Sequence, residues 1–195
     1  MLHLASQSPR RRELLDQLGL RYGVLDVSVE EVRAADEPPQ SYVSRVAREK
    51  AGAGLLSLGG DAAAVVLGAD TEVVLGDEVF GKPADASEAA AMLRRLSGRT
   101  HQVMSAVWAV SAGREAHRFQ ISDVRFAELG EHTINAYCAG DEWRGKAGGY
   151  AIQGRAAAFI ADLRGSYSGV MGLPLFETAA LLEEFSIEIP FRGAV

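Results

Sequence analysis

Val65-Val66-Leu67-Gly68-Ala69-Asp70-Thr71 is the stretch that decides the fold. Ala62 to Leu67 is too short to cross a membrane and rich enough in Val and Leu for a strand covered on both faces. Gly68 and Ala69 remove bulk, so the strand is predicted to run out there and end on the carboxylate of Asp70. Burial raises the pKa of an acid unless a cation or a metal compensates. Asp70 is therefore a base, a metal ligand or a cap for the next element, and the rest of the chain must decide.

Upstream, Leu2–Ala5 is predicted as a short strand, followed by Ser6-Gln7-Ser8, Pro9 and Arg10-Arg11-Arg12. Ser8 is a candidate N-cap and Pro9 a candidate first helical residue, with Gly19 as the stop. A helix N-terminus with free N–H groups attracts anions and disfavours cations. Three arginines in its first turn therefore point to bound phosphate, against the alternative of a solvated basic patch. Tyr22–Val27 is predicted as a second strand, leading into a polar loop with Glu30 and Glu31. Adjacent acids of this kind usually mean a solvated surface. Gln40–Leu56 carries a helical stripe of Tyr42, Val43, Val46, Ala47 and Ala51. Lys50 lies beside that stripe and by itself reads as a helix-surface lysine.

Downstream, Gly76-Asp77 between apolar runs predicts a hairpin. Lys82, before Pro83, sits on extended backbone that projects its side chain from a fixed position. Asp85-Ala86-Ser87-Glu88 resembles a capping box opening a helix over 86–96. His101–Ser111 and His117–Phe126 are two long strands, and Glu131–Ala139 is a short helix. The glycine-dense run Lys146–Gly154 permits close backbone approach to a ligand or serves as a flexible connector. Gln153 in it has an amide that both donates and accepts. Ala157–Leu163 is predicted as a strand, Gly165–Gly169 as a glycine-serine loop and Leu175–Phe185 as a final helix. The alternation early in the chain and the β-rich middle predict an α/β fold, a mixed sheet flanked by helices with a central cleft. With 195 residues and no linker, residues 1–195 are expected to form one domain.

The net charge of −6 favours neither nucleic acid nor an anionic membrane, so an anionic substrate needs a local cationic pocket. Lysine occurs only at positions 50, 82 and 146. Cys138 is the only cysteine, which excludes an intrachain disulfide and a cysteine-based zinc site within one chain. The four histidines lack ligand-like spacing and are expected to be structural or exposed. Met1–Ser8 has neither a basic n-region nor a long apolar stretch, and a cytoplasmic location is expected.

Ser6, Ser8, Arg10–Arg12, Glu31, Lys50, Asp70, Lys82 and Gln153 together supply oxyanion donors, cations, two carboxylates and an amide. That set suits metal-assisted phosphate hydrolysis. Hydride transfer is disfavoured, because no GxGxxG follows the first strand, and there is no Walker A sequence.

At this point the sequence resembles the Maf, or septum-formation, family. The matching segments include Ala5–Arg11, Glu30-Glu31, Ala47–Ala51, Gly68–Thr71, Gly81-Lys82-Pro83, Leu96-Ser97-Gly98, Gly149–Gly154 and Gly165–Leu175. They span nearly the whole chain in the family's order. The resemblance implies a nucleoside triphosphate pyrophosphatase that cuts between the α and β phosphates with a divalent metal, Mg or Mn. It implies a fold like that of inosine triphosphate pyrophosphatases, with two lobes around the cleft, and a homodimer. By position, Asp70 resembles the proton acceptor and Glu31 its acidic partner, both facing the metal. Arg11, Lys50 and Lys82 resemble the phosphate-binding cations. Arg10, Thr71 and Gln153 match the positions that set base preference, here as in the subgroup acting on dTTP and UTP. A second reading makes the chain a nucleotide-binding regulator of septum formation with little turnover. A third keeps the reaction but changes the substrate to inosine or modified-base triphosphates.

Overall fold

The computed structural model describes residues 1–59 and 61–192. Seven strands form one mixed sheet: β1 (Leu2–Leu4), β2 (Gly23–Val24), β3 (Val65–Leu75), β4 (Glu78–Phe80), β5 (Thr100–Val110), β6 (Glu115–Phe126) and β7 (Ile160–Arg164). Their order is β2-β1-β3-β5-β6-β7, with β4 also paired to β3. β1 runs parallel to β2 and β3, and the remaining pairs are antiparallel. The helices are α1 (Pro9–Asp16), α2 (Pro39–Ser57), α3 (Ala86–Leu96), α4 (Glu131–Cys138), α5 (Tyr167–Met171) and α6 (Leu175–Glu184).

The central strand corrects the expectation that it stops at Asp70. β3 is continuous for 11 residues, and Asp70 lies in its middle, opposite Ala106 of β5. Gly68 does not end the strand. A Cβ there would come within 2.5 Å of the Ala51 amide and 2.9 Å of the Ala51 Cβ, and closer still to the Ala47 carbonyl. The glycine is what lets the backbone of α2 lie directly on the sheet.

Other boundaries move for local reasons. The strand expected over 22–27 pairs only at Gly23–Val24. The strand expected from Ala157 begins at Ile160, because Arg155–Phe159 is a 3-10 turn. α5 begins within the expected glycine-serine loop, capped by Ser166, whose Oγ accepts from the Gly169 N–H at 3.0 Å. The hairpin forms as expected, with Gly76 at φ +65°. Asp85 caps α3 and accepts from the Glu88 N–H at 2.8 Å.

Side chains alternate across β3, so one face carries Leu67, Ala69, Thr71 and Val73. Leu67 and Ala69 join a core built with α1 and α6, while Val73 joins a second core built with α3 and α4. Thr71 separates the two. Beside it on β5, Ser105 donates to the Gly169 carbonyl of α5 at 2.7 Å, and Thr71 and Ser105 share a hydrogen bond of 2.8 Å. This polar break between two apolar cores is the floor of a cleft. The opposite face of β3 packs on α2, with Tyr42, Val43, Val46 and Ala47 against Val74, Met104 and Ala106.

Candidate active site

The cleft owes its depth to a gap in the sheet. β1 pairs with β3 over residues 65–67, and β4 pairs with the same edge over residues 73–75. Residues 68–72 have no strand partner on that edge among the described residues. The chain leaving β1 carries Ser6 and the chain leaving β4 carries Lys82, and both line the opening. Asp70 and Thr71, on opposite faces of β3, consequently border one cleft of about 680 Å³. All but one of the residues expected at the site line it: Ser6, Ser8, Arg10, Arg11, Glu31, Lys50, Asp70, Thr71, Lys82 and Gln153. Arg12 does not. It is exposed on the next position of α1, and its carbonyl accepts from Tyr22 Oη at 3.2 Å.

The two acids and two lysines form one chain of ion pairs. Lys50 Nζ lies 2.7 Å from Asp70 Oδ1 and 2.6 Å from Glu31 Oε1. Lys82 Nζ lies 2.6 Å from Glu31 Oε2. Lys50 is thus no ordinary surface lysine: its side chain is 12% exposed, and that of Asp70 is 5% exposed. The seating of α2 at Gly68 brings Lys50 there, since Ala47 and Ala51 flank it. Glu31 is pushed up by partial burial, but the hydrogen bonds from Lys50 and Lys82 outweigh this and hold its carboxyl at about 2. Asp70 Oδ2 is buried and has no hydrogen-bond partner among the described residues.

The phosphate-type cations come from α1. Pro9 opens the helix as expected, but Ser8 makes no side-chain cap. Its N–H donates to Ser6 Oγ at 3.2 Å, and the residue lines the cleft. Arg11 Nε donates to the Gly172 carbonyl at 2.9 Å, and its Nη1 reaches Ser6 Oγ at 3.4 Å. Burial lowers the pKa of Arg11, against the opposing pull of Asp70, Glu31 and Glu72. Burial and then Arg11 lower that of Arg10. Two partly desolvated guanidinium groups at the positive end of a helix have the charge and donors that suit a multiply charged anion.

The glycine-rich run packs against β3 and the chain after β4. Gly148 sits at φ +68°, its N–H donates to the Gly81 carbonyl at 3.1 Å, and a Cβ on it would come within 2.9 Å of Val73. The glycines seat a tight turn on β3, and that turn holds Arg144, Lys146 and the exposed Gln153 along the cleft wall.

Arg144 and Lys146 also line the cleft, where sequence reading gave them no place; nor did it single out Glu72, which does not line the cleft but lies beside Asp70 in β3. Glu72 is 4% exposed and follows Asp70 by two residues on the same face of β3. Burial, and then the neighbouring Asp70, push its carboxyl up to about 8. The available signal was an acid at i and i+2 in an apolar strand, where the second is as costly to bury as the first. Of the histidines, His101 is buried, with Nε2 2.7 Å from Tyr150 Oη, and His117 stacks on Trp108 at 4.4 Å.

The Maf-like protein family model matches residues 1–185. A "dTTP/UTP pyrophosphatase" of Xanthomonas euvesicatoria pv. vesicatoria is 58% identical over 187 residues, covering 95% of this chain and 98% of that protein. A "Nucleoside triphosphate pyrophosphatase" of Xylella fastidiosa is 56% identical over 186 residues, with the same coverage. Among solved structures, the Staphylococcus aureus Ham1 protein matches with a TM-score of 0.48 at 15% identity, covering 65% of this chain and 72% of that one. A family model spanning the whole cleft, with relatives more than half identical from end to end, makes this chain a member of the Maf-like protein family.

Proposed function

We propose that this chain hydrolyses nucleoside triphosphates, dTTP and UTP foremost, between the α and β phosphates, releasing a nucleoside monophosphate and pyrophosphate with a divalent cation, Mg or Mn. The observation that carries the reading is the Asp70–Lys50–Glu31–Lys82 chain of ion pairs facing Arg11 in one cleft. Close relatives named for this reaction support it.

The donor set fits a hard cation. Carboxylate oxygens are the ligands such ions take, and Asp70 Oδ2 is a buried oxygen without a partner. Both Glu31 oxygens are engaged by lysines, and Glu31 would face the ion through Oε2 once a phosphate draws Lys82 away. Bound there, the cation would supply charge neutralisation of the phosphoryl oxygens. Arg11, Lys50 and Lys82 bind the triphosphate tail and hold its developing negative charge. Asp70 orients the attacking water and takes its proton, while Lys50 fixes the carboxylate through Oδ1.

Thr71 bears on the base. Ser105 spends its one hydroxyl proton on the Gly169 carbonyl, so Thr71 must donate in the Thr71–Ser105 pair. Its lone pairs are left to accept from an N–H, which a thymine or uracil N3 offers and a cytosine N3 does not. Gln153 can donate to an adjacent carbonyl. A panel of triphosphates with Mg tests the assignment: dTTP and UTP should release pyrophosphate fastest. A preference for CTP or purine triphosphates would refute the base reading, and nucleotide binding without turnover would favour a regulator. The family resemblance further implies a homodimer, which light scattering in solution tests.

A further inference from the structure

The ion pairs raise a question about the cation. The place between Asp70 and Glu31 is taken by the Lys50 ammonium, within 2.7 Å of one and 2.6 Å of the other. Asp70 nevertheless keeps Oδ2 free, and Glu72 keeps Oε2 free, both buried and without hydrogen-bond partners among the described residues. Both residues are 4% exposed. Strand alternation puts the two side chains on one face of β3, roughly 7 Å apart at Cα. Buried carboxylate oxygens are normally satisfied, so two together need an explanation. The neighbours do not supply one. The Tyr42 hydroxyl spends its proton on the Glu31 carbonyl at 3.0 Å. Lys50 and Lys82 are bonded to Asp70 and Glu31. The edge of β3 beside both acids is the gap in the sheet; Asp70 lines the cleft there, and Glu72 is the next residue on the same face of β3.

We propose that Glu72 is a ligand of the divalent cation, which Asp70 Oδ2 and Glu72 hold between them on the α2 face of β3. This deepens the metal-dependent reading above and rests on it for the ion's role in turnover. Lys50 then has a distinct task. It bridges Asp70 Oδ1 and Glu31 Oε1, and its charge remains available to phosphate.

The test is direct binding of Mn2+, followed by the electron paramagnetic resonance signal of the free ion, with thermal unfolding alongside. The full chain and the variants Glu72→Gln, Glu72→Leu, Asp70→Asn and Asp77→Asn are compared. Asp77→Asn removes an acid from the exposed hairpin turn and should bind as the parent does. Asp70→Asn and both Glu72 variants should lose at least about tenfold in Mn2+ affinity, the scale of a lost metal partner. They should also lose the rise in unfolding temperature that Mn2+ gives the parent. Without metal, Glu72→Gln should melt no lower than the parent. Parental affinity in either folded Glu72 variant overturns the proposal, as does a parent that binds no Mn2+. Pyrophosphate release from dTTP by the parent separates the two readings. Turnover with an unchanged Glu72→Gln affinity defeats the ligand alone. A Glu72-dependent Mn2+ site in a protein that leaves dTTP intact defeats the hydrolase and keeps the ligand.

Discussion

Replacing Gly68 by alanine tests how the helix is seated. The added Cβ would lie 2.5 Å from the Ala51 amide and 2.9 Å from the Ala51 Cβ, against a comfortable separation of about 3.5 Å. The obstacles are backbone of α2, so no side chain can swing aside, and the helix must retreat by roughly 1 Å. Overpacking of this kind costs about 1–3 kcal/mol. The retreat also carries Lys50, one residue before Ala51, away from Asp70 Oδ1, now at 2.7 Å. A misplacement of about 1 Å in a catalytic group reduces turnover roughly 100-fold. Pyrophosphate release from dTTP and urea unfolding should therefore both fall in Gly68→Ala. Gly52 supplies the control: it lies on the same helix with nothing within 4 Å of its would-be Cβ. Gly52→Ala should leave activity intact and stabilise the helix by up to about 1 kcal/mol. Parental stability and turnover in Gly68→Ala would refute the seating of α2 on that backbone and its role in placing Lys50.

Asp70→Asn should stay folded, because Lys50 keeps Glu31 as a partner, and should lose at least about 100-fold in turnover. Near-parental turnover would remove Asp70 as the base. His101 offers a pH test away from the cleft. Burial holds its imidazole down at about 4, against 6.5 for the free group. Between those values the unfolded chain binds the proton and the folded one does not, so stability present above pH 6.5 is lost as pH falls toward 4. The loss is at most about 3 kcal/mol. Urea unfolding at pH 7 and 4.5 should show a smaller fall in His101→Phe than in the parent, and equal falls would contradict it.

Much of the site was legible because its residues carry side chains the fold could not otherwise justify. Two of the arginines at the helix N-terminus, the lysine before a proline and the acid in a Val-rich strand conflict with local expectation and line the cleft. The loop acid Glu31 and the helix lysine Lys50 were not legible alone, since exposed versions of both are commonplace. Only the seating of α2 at Gly68 and the fold of the 25–38 loop join them. The reach of β3 past Asp70 was hidden because Gly68 reads as a strand end when the partner helix is unknown. Glu72 stayed hidden within that misplaced boundary: beyond a strand end it passes for the start of a hairpin arm, whereas in a continuous strand it shares a face with Asp70. The glycines at 148 and 149 belong to packing against Val73 and Ala89, contacts distant in sequence.

The central claim is that this cleft directs water to cleave between the α and β phosphates. Product analysis by mass spectrometry after one turnover of dTTP with Mg tests it most directly. Equal amounts of dTMP and pyrophosphate, and no dTDP, are predicted. Formation of dTDP with orthophosphate would contradict it.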